Sequence, residues 1–221
     1  MKTAYLAVVA MTGGLLQGAI APDRLDAAAD MMTEIMSAPD KGIPQDLLSK
    51  SECIVIVPGV KKGAFIFGGK YGKGFMLCRK ESGVGWSAPA SVRVEGGSFG
   101  FQIGASETDV VMLVNSKVGA KKLLASRFLG ADASVAGGPV GRDSSAETDA
   151  QMRAEILTYS RSRGAFAGLS LEGATLRPDD DWNKELYGKS MANRDIVMGD
   201  TPPPPSAKRL LELLNKYSSR K

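Results

Sequence analysis

The stretch from Cys53 to Cys78 most constrains the fold of this chain. It contains three short runs rich in Val, Ile and Phe, separated by two breaks that carry Gly and Lys. Short apolar β-branched runs bounded by Gly or Pro are typical of strands. We therefore predict a three-stranded antiparallel meander, with Lys61 and Lys62 in its first turn and Lys70 and Lys73 in its second. The two lysine turns would then lie at opposite ends of the sheet.

The same geometry bears on the only two cysteines of the chain. In a three-stranded meander Cys53 begins the first strand and Cys78 ends the third. The two residues would lie at opposite ends of the sheet, beyond the ~7 Å between Cα atoms that a disulfide spans. A disulfide would be ordinary in an exported protein, but the meander favours reduced, buried thiols.

Helical and extended patterns follow one another irregularly along the rest of the chain. Apolar residues recur at helical spacing over 23–37, and a ten-residue helix is predicted after Asn115. Further segments are predicted as helices at 44–50, 178–187 and 206–217, and as strands at 91–95, 98–104, 108–114, 156–160 and 164–171. Because helices and strands do not alternate as a parallel sheet requires, we predict an α+β fold, with a largely antiparallel sheet or open barrel and flanking helices.

The N-terminus has the plan of a secretory signal peptide. Residues 1–21 contain one Lys, then an uncharged apolar stretch, and end in Ala-Ile-Ala. An uncleaved anchor and a plain N-terminal helix are the alternatives. We therefore divide the chain into a signal peptide (1–21), one domain (22–198), and a Pro-rich linker with a C-terminal amphipathic helix (199–221). An exported protein of this kind would lie in the periplasm or the cell envelope.

The composition disfavours catalysis. The chain has no histidine, which removes the commonest general base near neutral pH and the commonest metal ligand. The segment Gly68–Gly74 lacks the spacing of a phosphate-binding loop and is better interpreted as a tight hairpin. Asp179–Asp181 lacks the alternating ligands of a calcium loop and fits an acidic helix start. We predict no catalytic residue, no metal site and no cofactor.

Basic residues at predicted turns and on one exposed helix face are the candidate functional residues. Residues 52–80 carry six Lys or Arg and one acid, and each base near an anionic lipid surface contributes about 1 kcal/mol. Nucleic acid is not favoured, because Tyr71 is the only aromatic residue interleaved among these bases. The candidate lipid-binding residues are Lys61, Lys62, Lys70, Lys73, Lys121, Lys122, Arg161 and Arg163.

Five sequence blocks, in order, carry a family resemblance. They are PDKGIP (39–44), GWSAP (85–89), GGSFG (96–100), GGPVGR (137–142) and SRGAFAGLSLEG (162–173). With them, residues 23–214 resemble the SYLF-domain lipid-binding family, and a single domain behind a leader resembles its bacterial branch. The segment DIVMGDTP (195–202) is similar to the one that closes the domain in animal members.

The resemblance implies a non-enzymatic module that binds anionic phospholipids, phosphoinositides in eukaryotes and, in some fungal members, actin filaments. It also implies a basic N-terminal amphipathic helix at the membrane, but here the matching helix carries Arg24 against four acids. We therefore expect a turn, and choose Lys61–Lys62, to face the lipid. The alternative is an envelope protein-interaction or structural module that docks a partner through the C-terminal helix or the surface around Trp86.

Overall fold

The computed structural model describes residues 20–38, 42–64, 67–99, 104–125, 135–137, 156–162, 165–168 and 174–218. The predicted leader, the polar loop at 141–150 and parts of several family blocks lie outside these ranges. The helices are α1 (Ala21–Ser37), α2 (Gln45–Lys50), α3 (Lys117–Ala125), α4 (Asp180–Tyr187), α5 (Asn193–Met198) and α6 (Lys208–Tyr217). The strands are β1 (Cys53–Ala64), β2 (Phe67–Cys78), β3 (Ala90–Phe99), β4 (Gly104–Val114), β5 (Val135–Gly137), β6 (Ile156–Ser162), β7 (Ala165–Gly168) and β8 (Ala174–Pro178).

The strands form one sheet in the order β5-β6-β4-β1-β2-β3-β8, and β7 also pairs with β6. Among the described residues, every strand pairing is antiparallel except that of β5 with β6. The predicted α+β class with a largely antiparallel sheet is therefore confirmed. The predicted hairpin that includes 156–160 is also confirmed, since Ser162 pairs with Ala165.

The central strand β1 is buried on both faces, because helices cover the sheet on each side. Ile54 and Ile56 contact the core under α1, α2, α4 and α6. Val55 and Val57 contact a second core that includes residues of α3 and α5. A strand covered on both faces has a continuous apolar sequence, which is what residues 53–57 show.

Cys53 and Cys78 form a disulfide, so the prediction of reduced thiols is wrong. The three-stranded meander is wrong as well: residues 53–78 make only two long strands, β1 and β2, paired along their length. Cys53 is the direct partner of Cys78 in that register, with their Cα atoms 4.0 Å apart. The second break of the predicted meander lies inside β2.

The glycines of β2 explain why that break is strand and not turn. A Cβ on Gly74 would meet the backbone of Ile56 and lie 2.7 Å from the Cα of Val57. A Cβ on Gly72 would lie 2.8 Å from a methyl group of Val60. Glycine is required where two backbones approach this closely. The interpretation of Gly68–Gly74 as a tight hairpin is therefore wrong. Gly72 and Gly74 instead allow β2 to pack closely against β1.

The C-terminal segment belongs to the same core as the rest of the domain. After the prolines, a 3-10 turn (Pro205–Ala207) leads into α6, which packs against α1. Leu210 and Leu214 of α6 are fully buried in the core under α1. The amphipathic pattern predicted for this helix is thus satisfied inside the molecule.

A buried amide network attaches α4 and α5 to the edge of the sheet. Asn183 accepts a hydrogen bond from the backbone of Ser91 and donates to Asn193, at 2.7 and 2.6 Å. Asn193 in turn donates to the carbonyl of Ser91 at 3.0 Å. Buried polar groups that satisfy one another in this way fix the position of the elements that carry them.

Candidate functional site

The end of the β1–β2 hairpin brings three of the candidate lysines together. Lys61 pairs with Tyr71 and Lys62 pairs with Lys70 in the strand register. Lys61 is exposed, and the side chain of Tyr71 is 48% exposed. The prediction that Lys61–Lys62 and Lys70 lie at opposite ends of the sheet is wrong, because both belong to one hairpin. We call this end of the sheet, formed by Lys61, Lys62, Lys70 and Tyr71, the hairpin end.

Two acids border the hairpin end. In the register of the sheet, Glu107 of β4 is the other neighbour of Lys61, and Glu95 of β3 is the other neighbour of Tyr71. Glu95 contacts Arg93 at 3.0 Å and Arg177 at 3.5 Å, so its charge is already balanced within the protein. Glu107 is exposed beside Lys61, and it reduces the positive potential there.

Lys73 has a different position from the other lysines of β2. Its ammonium group lies 2.7 Å from the Oδ2 atom of Asp179 and 4.4 Å from the centroid of the Trp182 ring. The side chain of Asp179 is fully buried, and it also caps α4 by accepting a hydrogen bond from the Trp182 amide. Lys73 thus neutralises an internal carboxylate, and the predicted acidic start of α4 is confirmed.

Arg161 is bound by acids on two other elements. Its Nε donates to Asp109 at 2.8 Å, and the guanidinium also contacts Glu34 of α1. Asp109 accepts a further hydrogen bond from the amide of Gly59, at the irregularity in β1. Burial, with Glu107, raises the pKa of Asp109, while the Gly59 amide and Arg24 act in the opposite direction. The arrangement ties α1, β1, β4 and β6 together.

The remaining candidates lie apart from the hairpin end. Lys121 and Lys122 are on α3, and Lys121 is exposed. α3 follows the end of β4 at which Val114 pairs with Cys53, which is the end of the sheet away from Lys61. Arg163 lies outside the described residues. Their role in lipid contact, like that of the other candidates, stays a prediction.

The side chain of Trp86 is buried. The Trp86 indole is 3% exposed and donates to the hydroxyl of Ser218 at 2.9 Å. The Arg79 guanidinium covers its ring, 3.9 Å from the centroid. Leu210 and Leu214 of α6 are buried as well, so these two residues and the Trp86 indole pack inside the protein.

A cleft of about 640 Å³ lies beside this region. The turn at Lys80–Ser82 and Gly85 forms one wall, and Gly199–Pro203 with the end of α5 forms another. Residues of α6 complete it, among them Leu211 and Asn215. Sequence reasoning missed this cleft, because its walls come from segments more than a hundred residues apart.

In the part of the chain that the structure describes, no group of three or more Cys, Asp or Glu side chains is arranged to hold a metal ion. Among those same residues, no helix combines the length and apolar character needed to cross a membrane. Among the described residues, the hairpin end brings basic residues of β1 and β2 close together along the backbone, with Lys61 opposite Tyr71 and Lys62 opposite Lys70 in the register.

Comparison with known proteins gives one family. The family model described as "Ysc84: Las17-binding protein actin regulator" matches residues 95–217, more than half of the chain. "SH3 domain-containing YSC84-like protein 1" of Rattus norvegicus is 35% identical over 192 residues, which is 85% of this chain and 56% of the rat protein. No solved structure matches.

Fungal relatives give the same result. "SH3 domain-containing protein PJ696.02" of Schizosaccharomyces pombe is 36% identical over 78% of this chain and 41% of its own length. "LAS seventeen-binding protein 3" of Saccharomyces cerevisiae is 33% identical over 79% of this chain and 39% of its own length. The chain thus spans about half the length, or less, of the relatives that it matches.

Proposed function

This chain belongs to the Ysc84 family, and we propose that it is a non-enzymatic module that binds anionic phospholipid surfaces, phosphoinositide-like ones included, through its hairpin end. One observation carries the proposal. In the register of β1 and β2, Lys61 lies opposite the exposed Tyr71, and Lys62 lies opposite Lys70 in the next pair along the strands. The match confirms the family resemblance seen in the sequence, whereas the bacterial branch stays a prediction.

The chemistry of the hairpin end fits a lipid headgroup layer. Lysine ammonium groups on long stems reach phosphate oxygens, and tyrosine has an apolar body with a polar tip that suits the membrane interface. Strands β4 and β3 pair with β1 and β2 at this end, so the lysines stand on paired strands. The β1–β2 disulfide holds the other end of the same hairpin.

The expected affinity is modest. Three lysines near an anionic surface contribute roughly 3 kcal/mol together, about 1 kcal/mol each. Glu107 beside Lys61 opposes part of this. The interaction should therefore be reversible and should weaken as salt screens the charges, with a Debye length of about 8 Å at physiological ionic strength.

The first helix does not offer an alternative membrane contact. The inner side of α1 is buried in the core, Leu25, Met32 and Ile35 among its residues. Its exposed residues include four acids, which anionic lipid would repel. These acids are Asp23, Asp26, Asp30 and Glu34.

Co-sedimentation with vesicles tests the proposal. The probes are vesicles of phosphatidylcholine alone and of phosphatidylcholine mixed with phosphatidylserine or with a phosphoinositide. We expect binding to the anionic vesicles only, and a loss of at least about tenfold in K61E/K62E. The matched control is K121E/K122E, which makes the same charge change on α3 and should bind like the wild type.

The outcomes separate the alternatives. Equal binding to neutral vesicles, or a loss in K121E/K122E as large as in K61E/K62E, would overturn the hairpin end as the lipid site. Unchanged binding in high salt would exclude an electrostatic contact. Circular dichroism of each variant should match that of the wild type, which excludes unfolding as the cause.

A second candidate function is the binding of a protein partner. The family description names a Las17-binding protein and actin regulator, and the name of the yeast relative likewise gives Las17 as its partner. If this chain shares that role, it should co-sediment with actin filaments or bind a Las17 fragment even when it binds no vesicle. The other partner of this kind that we propose is a protein of the cell envelope.

We also propose that the chain is exported. The leader-like sequence at 1–21 supports export, and the disulfide supports an oxidising compartment, since such bonds rarely persist in the cytosol. N-terminal sequencing of the protein purified from the periplasm or medium would test this. Recovery of the intact N-terminus from the cytosol, with both thiols free, would contradict it.

A further inference from the structure

The proline run at 202–205 is partly exposed to solvent and lies outside the hairpin end. Thr201 and Pro204 are half-buried, whereas Pro202, Pro203 and Pro205 are exposed. Pro204 has φ −67° and ψ 152°, which are polyproline II angles. Each residue from 201 to 204 precedes a proline, and that position favours the same extended conformation.

This alternation of exposure matches the geometry of a polyproline II helix. Such a helix has three residues per turn, so residues three apart lie along one edge. Thr201 and Pro204 form the edge that faces the protein. Pro202 and Pro205 form an outer edge, and Pro203 lies on the third. Two of the three edges are therefore presented to solvent, with prolines at positions i and i+3 of one of them.

The surroundings leave room for a partner. Pro202 and Pro203 line the cleft of about 640 Å³, and the turn at Lys80–Ser82 forms its opposite wall. Just beyond the prolines, the side chain of Lys208 is 79% exposed and lies 4.0 Å from Glu212. A partner that covers the outer edge can thus place part of its rim in the cleft and an acidic group near Lys208.

We propose that Pro202–Pro205 is a docking site for a protein domain whose groove is lined by aromatic side chains, of the SH3, WW or EVH1 type. These domains recognise two prolines separated by two residues on one edge of a polyproline II helix. Here Pro204 has polyproline II angles, and the segment is restricted at its two ends by α5 and by the 3-10 turn that begins at Pro205. Ordering the ligand therefore consumes little of the binding free energy.

Binding to purified SH3, WW and EVH1 domains, measured by titration calorimetry on the full chain, tests this inference. We expect at least one domain to bind, and P202A/P205A to weaken that binding by about tenfold or more. The matched control is P204A, which makes the same chemical change on the inward edge and should stay within about threefold of the wild type. Lys208→Glu should weaken binding severalfold.

Two results would overturn the inference: no domain of the three classes binds, or P204A loses as much affinity as P202A/P205A. Thermal unfolding of each variant separates loss of the docking edge from loss of the fold, since the edge variants should unfold within a few degrees of the wild type. Vesicle binding by P202A/P205A should be unchanged. Failure of the proline docking site would therefore leave the proposal for the hairpin end intact, and the reverse also holds.

Discussion

The guanidinium of Arg79 stacks on the indole ring of Trp86, 3.9 Å from its centroid, while 94% of Arg79 is buried. Its Nη2 donates to the carbonyl of Ser218 at 2.7 Å and to those of Leu48 and Ser49 at 3.3 Å. These carbonyls belong to the C-terminal ends of α6 and α2. One buried cation therefore satisfies the ends of two helices, where a positive charge also suits the helix dipoles.

Substitution of Arg79 should be strongly destabilising. Arg79→Met leaves several buried carbonyls without their donor, and we expect a loss of about 3 kcal/mol or more in the free energy of unfolding. Arg79→Lys should recover only part of it, since an ammonium cannot reproduce the fork of the guanidinium. Urea denaturation measures both. Arg194→Met, at an exposed position of α5, is the control and should change stability by less than about 0.5 kcal/mol.

The disulfide should stabilise the domain and resist reduction. It closes a loop with a sequence separation of 25 residues between Cys53 and Cys78, for which chain entropy predicts about 3 kcal/mol. Both cysteines are 1% exposed, so we expect reductants to act only after denaturant opens the fold. Alkylation monitored by mass spectrometry checks this. Labelling of the native protein with reductant but without denaturant would contradict it, and C53A/C78A should lose about the predicted stability.

Substitution by alanine should destabilise the protein at Gly74 but not at Gly69. Gly74→Ala would press a methyl group against the Ile56 backbone, which we expect to destabilise by about 3 kcal/mol or more. A Cβ on Gly69 meets nothing within 4 Å, so Gly69→Ala in the same strand should be neutral or slightly stabilising. Thermal unfolding of the two variants compares them. Equal melting temperatures would show that β2 does not approach β1 as described.

Local patterns predicted some parts of this fold and misled on others. The helices α1 and α3 follow from apolar spacing alone, because one face of each packs on the sheet. The strand β2 does not, since Gly72 and Gly74 look like turn residues although they serve close packing with β1. That error moved Cys78 and Lys70 away from their partners. Pairing Cys53 with Cys78 in one antiparallel hairpin corrects the strand β2, the disulfide and the position of Lys70 together.

The site was predictable only in part. The sequence predicts Lys61 and Lys70 in two turns at opposite ends of the sheet, whereas in the structure both lie in paired strands at one end of it. Lys73 looked the same in sequence, but its partner Asp179 is more than a hundred residues away. Arg79 was overlooked for the same reason, because Ser218 lies 139 positions along the chain. Long-range pairing decides which charges remain available at the surface, and one sequence does not encode it in local spacing.

The ion pair of Lys73 and Asp179 gives a prediction that separates stability from function. Asp179→Ala removes both the cap of α4 and the partner of Lys73, and we expect a loss of about 2 kcal/mol or more in the free energy of unfolding. Asp181→Ala, at an exposed position in the first turn of the same helix, should lose only a few tenths of a kcal/mol. Chemical denaturation measures both variants.

Lys73→Met extends the same comparison to membrane binding. It leaves the Asp179 carboxylate buried without its cation, so the variant should be destabilised. It should still bind anionic vesicles as the wild type does, because Lys73 faces Asp179 and Trp182. Lys61→Met removes one charge from the hairpin end and should do the reverse, with unchanged stability and weaker binding. Weaker vesicle binding by folded Lys73→Met would place Lys73 at the lipid surface and contradict its structural role.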